Sequence, residues 1–533
     1  MSSQKKRNVL LIMCDQLRPD YLHAYGADFI PTPNLDFLAS EGAVFDNAIT
    51  ASTVCAPARA SFITGLPVSA HGAWTNNIPC KEGTVYLPER MNEAGYLTAA
   101  VGCYDHAPFG NTCGYQYTKV FDDDPNKKGA RDTYLGFLKE RHPEADTLYP
   151  RDGEYFKYSE EEHYDSWSCN CAVEFLESYA ANGQAPNGAR GNQSSEDGSV
   201  PAPFFLYCGF LMPHGPYLPP REVSGTVDPS QIPEPVILSR PDEEIPSVER
   251  YRRAFLNPPE ALKDPKSVFP ERMRLRTLYC EMIVEIDRLV GRLITTLKEQ
   301  GLYENTTIIF TGDHGSAEND WNISTKGPWP YTPQLFISML IANHPELVPG
   351  SRSDVLCGNM DVGGTILDIA GDSKPFGLSR SMIGMATGRV PERSVHMSEF
   401  CDSLKNLVDK RFTFSYYPFT GVYTLFDRIE DPDFTTDLAR DPAYAEVVNR
   451  FLMKTIDHMV LAKGVHIEAH DLTPEVVHGV QEMHPSFLDD LELCYPLADM
   501  ESVRRVKEAG LDADYNEFCR TRKITAHYGV YWE

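Results

Sequence analysis

The sequence predicts an α/β fold with a smaller α+β unit behind it, and three observations carry that prediction. Short apolar runs of strand length recur between helical patterns. The length of 533 residues exceeds what one small core uses, so a large domain plus a smaller one is expected. After about Ser394 the pattern changes to alternating strand-like pieces.

The strand candidates of the larger unit are 9–13, 97–101, 204–210 and 307–310, each an apolar run bounded by turn or polar residues. Segments 34–42 and 87–95 read as short helices closed by Gly42 and Gly95. The longest helix begins near Glu271, where Leu278, Met282, Ile286, Leu289, Leu293 and Leu297 recur at three and four, and it ends near Gly301. Residues 180–203 are rich in Gly, Asn, Ser and Pro without periodicity and predict a surface loop. The Pro-rich stretch 216–259 predicts a long excursion from the sheet. Domains are expected at 1–393 and 394–533, the second holding strands at 411–417 and 422–426 and a helix at 444–461. The tail 527–533 carries Tyr528, Tyr531 and Trp532, which suggests docking on a second copy, a homo-oligomer such as a dimer or tetramer.

Charge narrows the function. Forty-nine basic against 76 acidic residues give a net −27, which argues against nucleic acid and anionic membranes as partners. An anionic small substrate would then be held by a local cluster of metal, Lys, Arg and His. The apolar run ending at Asp15 is too short for a signal peptide, and no stretch reaches the roughly 18 to 20 apolar residues of a membrane span, so a cytoplasmic protein is expected. Thirteen cysteines without a Cys-x-x-Cys pair disfavour both a disulfide framework and a zinc knuckle.

Three segments concentrate reactive side chains. Asp15 follows the first apolar strand, where an open α/β sheet presents its ligand-binding edge, although Asp at a strand end serves equally as a turn residue or helix cap. Asp313-His314 occupies the same structural address after another strand, and an oxygen donor beside an imidazole suits a divalent ion of intermediate hardness. Between them, Cys55-Ala56-Pro57-Ala58-Arg59 opens a helical stretch that places Cys55 at the positive end of the dipole. A buried structural cysteine fits that position as well.

Taken together these segments resemble the type I sulfatases of the alkaline phosphatase superfamily. The shared features are Asp15 on the first strand, the Cys-x-Pro-x-Arg signature at 55–59, Pro213-His214-Gly215-Pro216 in mid-chain and the strand ending in Asp313-His314. Pro33-Asn34-Leu35-Asp36, Leu425-Phe426-Asp427 and Asp431-Pro432 add to the likeness, which covers nearly the whole chain. The resemblance implies an alkaline-phosphatase-like domain with a central mixed sheet flanked by helices. It implies hydrolysis of sulfate monoesters, arylsulfatase-like and promiscuous in character, with phosphonate monoester or phosphodiester hydrolysis as the alternative. It implies that a maturation enzyme converts Cys55 to formylglycine, whose aldehyde hydrates to a gem-diol. One hydroxyl, on one divalent metal ion (calcium or manganese), attacks sulfur or phosphorus, and the resulting hemiacetal ester collapses to restore the aldehyde.

The roles carried over are metal binding for Asp15, Cys55, Asp313 and His314, with Gln16 as a further candidate, and support of the nucleophile by Arg59. His214 and Lys326 would contact the ester and protonate the leaving oxygen, and Asn76 would contact a substrate oxygen. By themselves His214 reads equally as a core histidine, Lys326 as a solvated surface residue and Asn76 as a turn residue. Two departures bear on substrate. Gln16 stands where many sulfatases have a second acid, which is closer to the branch of phosphonate monoester hydrolases and choline sulfatases. Gly102-Cys103-Tyr104-Asp105-His106 replaces a Gly-Lys-Trp-His element, so Cys103 and Tyr104 fall at substrate-binding positions and His106 at that of the base that releases the product. A third reading keeps Cys55 unmodified in a metal-binding or scaffolding protein.

Overall fold

The computed structural model describes residues 6–106, 111–121, 133–192, 201–241, 244–401, 403–418 and 420–465. The aromatic tail 527–533, and with it the expectation of oligomer docking, lies outside the described residues.

In chain order the strands are β1 (Asn8–Asp15), β2 (Gly42–Ile49), β3 (Leu97–Cys103), β4 (Tyr117–Phe121), β5 (Arg151–Asp152), β6 (Tyr155–Phe156), β7 (Phe204–Pro213), β8 (Thr306–Gly312), β9 (Met339–Ala342), β10 (Ser351–Gly358), β11 (His396–Phe400), β12 (Leu404–Val408), β13 (Phe412–Tyr417) and β14 (Val422–Asp427). Eight of them form one sheet in the order β10-β2-β9-β8-β1-β7-β3-β4. Only β9 runs against its neighbours β2 and β8, and the other pairings are parallel. Seven strands therefore point the same way and end on one edge of the sheet, which is where chemistry-bearing residues converge in open α/β folds.

β1 is buried along its whole length because it packs on both faces. Leu10, Ile12 and Cys14 face a layer holding Phe175 and Leu176 of the helix Tyr164–Asn182 and Ile286 and Leu289 of the helix Phe269–Glu299. Val9, Leu11 and Met13 face the opposite layer, with Phe62 and Ile63 of helix α2 (Cys55–Thr64) and Val362 and Ile366 of the helix Met360–Ile369. Period-two alternation thus divides one strand between two cores. No helix among the described residues is long and apolar enough to cross a membrane.

A second, antiparallel sheet, β11-β12-β13-β14, follows. The helix Ala445–Val465 covers it through Val448 and Phe451, the latter stacked on Phe414 at 5.4 Å. This sheet is joined to the larger one at the reactive edge. Glu399 N donates to Ala51 O at 2.8 Å, the Glu399 carboxylate accepts from Ser69 N at 2.9 Å, and Asn406 donates to Trp329 O at 3.1 Å. The sequence prediction missed β2, β4, β9 and β10 of the large sheet, β11 and β12 of the second, and the short pair β5 and β6. β9 has only four residues, and Arg352 and Asp354 interrupt the apolar pattern of β10.

Candidate active site

The aligned strand ends bring the sequence-predicted residues to one place. β1 ends in Asp15, β8 leads directly into Asp313 and His314, β7 leads into His214, and β3 ends in Cys103. β2 feeds a short buried loop that delivers Cys55 as the first residue of α2. Ligand atoms of Asp15, Cys55, Asp313 and His314 all lie within 4.8 Å of one another, and all four residues are buried. Cys55 Sγ is 3.4 Å from Asp15 Oδ1, 3.3 Å from His314 Nε2 and 2.6 Å from Lys326 Nζ.

Each ligand is oriented from behind. The Arg59 guanidinium, fully buried, donates through Nε to Asp313 at 3.0 Å, through Nη2 to Asp15 at 3.1 Å and through Nη1 to the Tyr207 hydroxyl at 2.6 Å. Arg59 therefore braces the two carboxylates, whereas the sequence reading had it support the nucleophile at position 55. It lies four residues after Cys55, one turn along the same helix, so its planar fork reaches both acids at once. His314 Nδ1 donates to Gly315 O at 2.8 Å, which leaves the Nε2 lone pair turned to the cluster.

The electrostatics of the cluster suit a cation. Burial and the facing Asp313 push Asp15 up, a repulsion that a cation between the two carboxylates would relieve. Burial acts on Asp313 too, but His314, Arg59 and Lys326 outweigh it and hold Asp313 well below the usual carboxylate range. Burial draws His314 down to about 4, so its imidazole is neutral. Two inward-facing carboxylates and a neutral imidazole in a dry pocket are the donor set of a divalent ion, and the residues fit one. Burial and Asp15 raise the Cys55 thiol well above its ordinary value, outweighing Lys326. The helix-dipole expectation of an anionic sulfur is thus overridden, because desolvation of a thiolate costs more than one helix end returns.

Lys326 sits on a segment held under backbone strain. Glu318, Asn319, Trp321 and Asn322 have φ of 46°, 73°, 50° and 61°, and the left-handed region costs a non-glycine residue on the order of 1 kcal/mol or more. Buried arginines clamp the segment: Arg18 to Asp320 at 2.7 Å, Arg276 Nε to Glu318 O at 2.7 Å, and Arg253 to Trp321 O at 3.1 Å. Burial lowers the ammonium pKa, but Cys55 and Asp15 outweigh burial, and Lys326 stays charged.

The remaining predicted residues fall around this centre. Asn76 Oδ1 accepts from Ala56 N at 3.0 Å, beside the start of α2. Gln16, at φ 64°, donates its backbone N–H to Asp313 Oδ1 at 3.0 Å and its amide to Ser316 Oγ at 3.1 Å. Cys103 is buried, and its carbonyl accepts from Tyr207 at 2.9 Å. Tyr104 is buried edge-on against His106 at 4.4 Å. Burial, with Arg59 adding to it, draws His106 down to about 3, so that ring is neutral. Sequence reading assigned no role to Tyr207 or to Asp105, whose charge reaches both Asp15 and Cys55. The available signal for Asp105 was its strand-end address two residues past β3, the same address that singled out Asp15 and Asp313.

Beside the cluster opens a cleft of about 550 Å³ lined by His214, Gln16 and Thr325 and by Tyr217, Leu218, Leu275 and Leu278. Tyr217 donates to the buried Glu318 carboxylate at 2.7 Å, and Ser316 Oγ donates to the same group at 2.6 Å. One acid thereby joins the loop after His214 to the side chain that receives Gln16.

A family model described as Sulfatase matches residues 7–372. The chain is 28% identical over 484 residues to the arylsulfatase of Clostridium perfringens, with 85% of this chain and 95% of that protein covered. It is 28% identical over 507 residues to the multifunctional alkaline phosphatase superfamily protein PehA of Trinickia caryophylli, with the same two shares of 85% and 95%. The solved phosphonate monoester hydrolase of Silicibacter pomeroyi shares the fold, with a TM-score of 0.70 at 23% identity over 88% of this chain and 98% of that one.

Proposed function

The chain belongs to the sulfatase family, and we propose that it hydrolyses sulfate monoesters, R–O–SO3⁻ + H2O giving R–OH and hydrogen sulfate, with position 55 as the nucleophile. The observation that supports this most is the convergence of Asp15, Asp313, His314 and Lys326 on Cys55, next to a cleft lined by His214, by Gln16 beside Asp15 and by Thr325 beside Lys326. A high thiol pKa makes the encoded cysteine a poor nucleophile, which supports its conversion to formylglycine by a maturation enzyme.

Asp15, Asp313 and His314 would hold one divalent ion, calcium or manganese, which supplies Lewis-acid stabilisation of the charge on the transferring group. The other tasks fall to the chain. Arg59 keeps both carboxylates aimed inward. Lys326, charged and close to position 55, neutralises the sulfuryl oxygens as the S–O(R) bond lengthens. His214, which lines the cleft, donates a proton to the departing oxygen. Asn76 turns its amide donors to the substrate, and His106, a neutral base, accepts the proton whose loss releases the product. Eleven cysteines without a disulfide among the described residues support a reducing, cytoplasmic compartment.

Gln16 in place of a second acid supports a companion activity on phosphonate monoesters or phosphodiesters at the same site. Protein co-produced with its maturation enzyme is expected to show the mass loss of –CH2SH becoming –CHO at Cys55 and to turn over an aryl sulfate faster than the matched aryl phosphonate. Faster turnover of the phosphonate reverses the order of the two activities, and an unmodified, inactive Cys55 overturns the proposal.

A further inference from the structure

Three charged side chains line the cleft beside His214, namely Arg151, Glu154 and Arg274, and two of them are paired with each other. Glu154 and Glu271 both pair with Arg274, and Asp152 pairs with Arg221 at 2.9 Å. Arg151 is the third and is exposed, and among the described residues its guanidinium makes no ion pair or hydrogen bond. An exposed arginine is ordinarily just solvated. What distinguishes this one is its mounting on the two-residue hairpin β5–β6, which is fixed on three sides. Phe156 N donates to Pro219 O at 3.0 Å, Arg221 grips Asp152, and the Tyr155 hydroxyl joins Ser224 at 2.8 Å and Glu281 at 3.2 Å. Gly153 makes the turn at φ 66°. The chain as a whole is strongly acidic, at −27, so a cation held without a partner on the approach to the site opposes the global field at the point where the alcohol part of an ester would lie.

Tyr217, Leu218, Leu275 and Leu278 add apolar lining, and about 550 Å³ is room for a ring-bearing group. We propose, resting on the sulfatase reading above, that the preferred substrate is a sulfate ester of an aryl or cyclic alcohol that carries a second oxyanion, a carboxylate or a sulfate, and that Arg151 is the specificity-determining residue that receives it. The planar guanidinium fork matches either oxyanion in a bidentate arrangement. Glu154, the acid that lines this cleft, shares Arg274 with Glu271, so a cationic alcohol would have to compete with Arg274 for it.

The test uses aryl sulfates of matched leaving-group pKa bearing a distal carboxylate, sulfonate or carboxamide. The expected result is a kcat/KM about fivefold higher for an anionic ester than for the carboxamide, residing in KM, as suits a partly exposed bidentate pair. That ratio falls to about one in Arg151→Met, is partly kept in Arg151→Lys and inverts in Arg151→Glu. The carboxylate and sulfonate arms identify which oxyanion is preferred. An equal ratio in the unaltered protein and Arg151→Met overturns the proposal. Calorimetric binding of the free carboxylated phenol and its carboxamide to the same proteins reads the preference without turnover. If no sulfate ester is cleaved, the catalytic reading fails, and the binding difference still decides the role of Arg151.

Discussion

The nucleophile side of the site and the leaving-group cleft are built in different ways. The first is assembled from ends of parallel strands and the start of one helix, is fully buried, and is braced by a single arginine that touches both carboxylates. The second is assembled from a hairpin, the segment after β7 and one turn of a long helix, and its rim is open to solvent. On the proposed reading the difference teaches that the rigid sheet edge holds the groups that must keep sub-ångström geometry, while the connecting segments are placed to choose the alcohol. Perturbing the first should change turnover, and perturbing the second should change which ester is turned over.

The sharpest test of that division is Cys55→Ala, which removes the side chain from which the proposed nucleophile would derive. Turnover is expected to fall on the order of 10⁴-fold or more with the fold intact, read as kcat beside an unchanged circular dichroism spectrum. Asp313→Asn removes a carboxylate that receives Arg59 Nε, Gln16 N and His314 N. A loss on the order of 10³-fold in kcat is expected, together with a weaker response to added calcium or manganese after chelation. A loss of kcat below tenfold for either variant would break the comparison.

Glu399 supports the nucleophile side from a distance, since it holds Ser69 and pairs with Lys405 at 2.7 Å, both groups buried. Glu399→Gln leaves the ammonium uncompensated and is expected to cost about 3 kcal/mol. Burial pushes the Glu399 carboxyl up, but Lys405 and His458 outweigh it and hold it down to about 2. A folded pKa below the unfolded value contributes stability that is fully present above the unfolded pKa of 4.5 and is lost as pH falls toward 2. The Tm gap between the two proteins should therefore be constant above about pH 5 and shrink below it. The smallest effect belongs to the cleft. Tyr217→Phe leaves buried Glu318 with Ser316 and loosens the loop that carries His214, for which a roughly tenfold fall in kcat is expected with little change in Tm. A selective rise in KM instead would place Tyr217 in alcohol binding.

The nucleophile side was legible in the sequence because each of its residues is adjacent to an apolar run or inside a compact string. Asp15 and Asp313-His314 terminate strands that period and composition reveal, and Cys55 and Arg59 are one helical turn apart. The cleft was not legible. Arg151, Tyr217 and Leu275 are far apart in the chain, on segments without periodicity or on the exposed side of a helix, and the stretch 216–259 read only as an excursion. Arg59 shows the limit within a motif: its presence was evident, but that its donors go to Asp15, Asp313 and Tyr207 depends on three strands meeting.

By itself the sequence determined the alternation of strands and helices, the strand-end addresses of the acids and the signature helix, because these follow from local periodicity and short-range spacing. Only the tertiary structure decided that a buried thiol is held protonated, that one arginine serves two carboxylates, and that one cation on the cleft wall is left without a partner. Desolvation and long-range pairing are set by what surrounds a group in space, and neighbours along the chain do not record it.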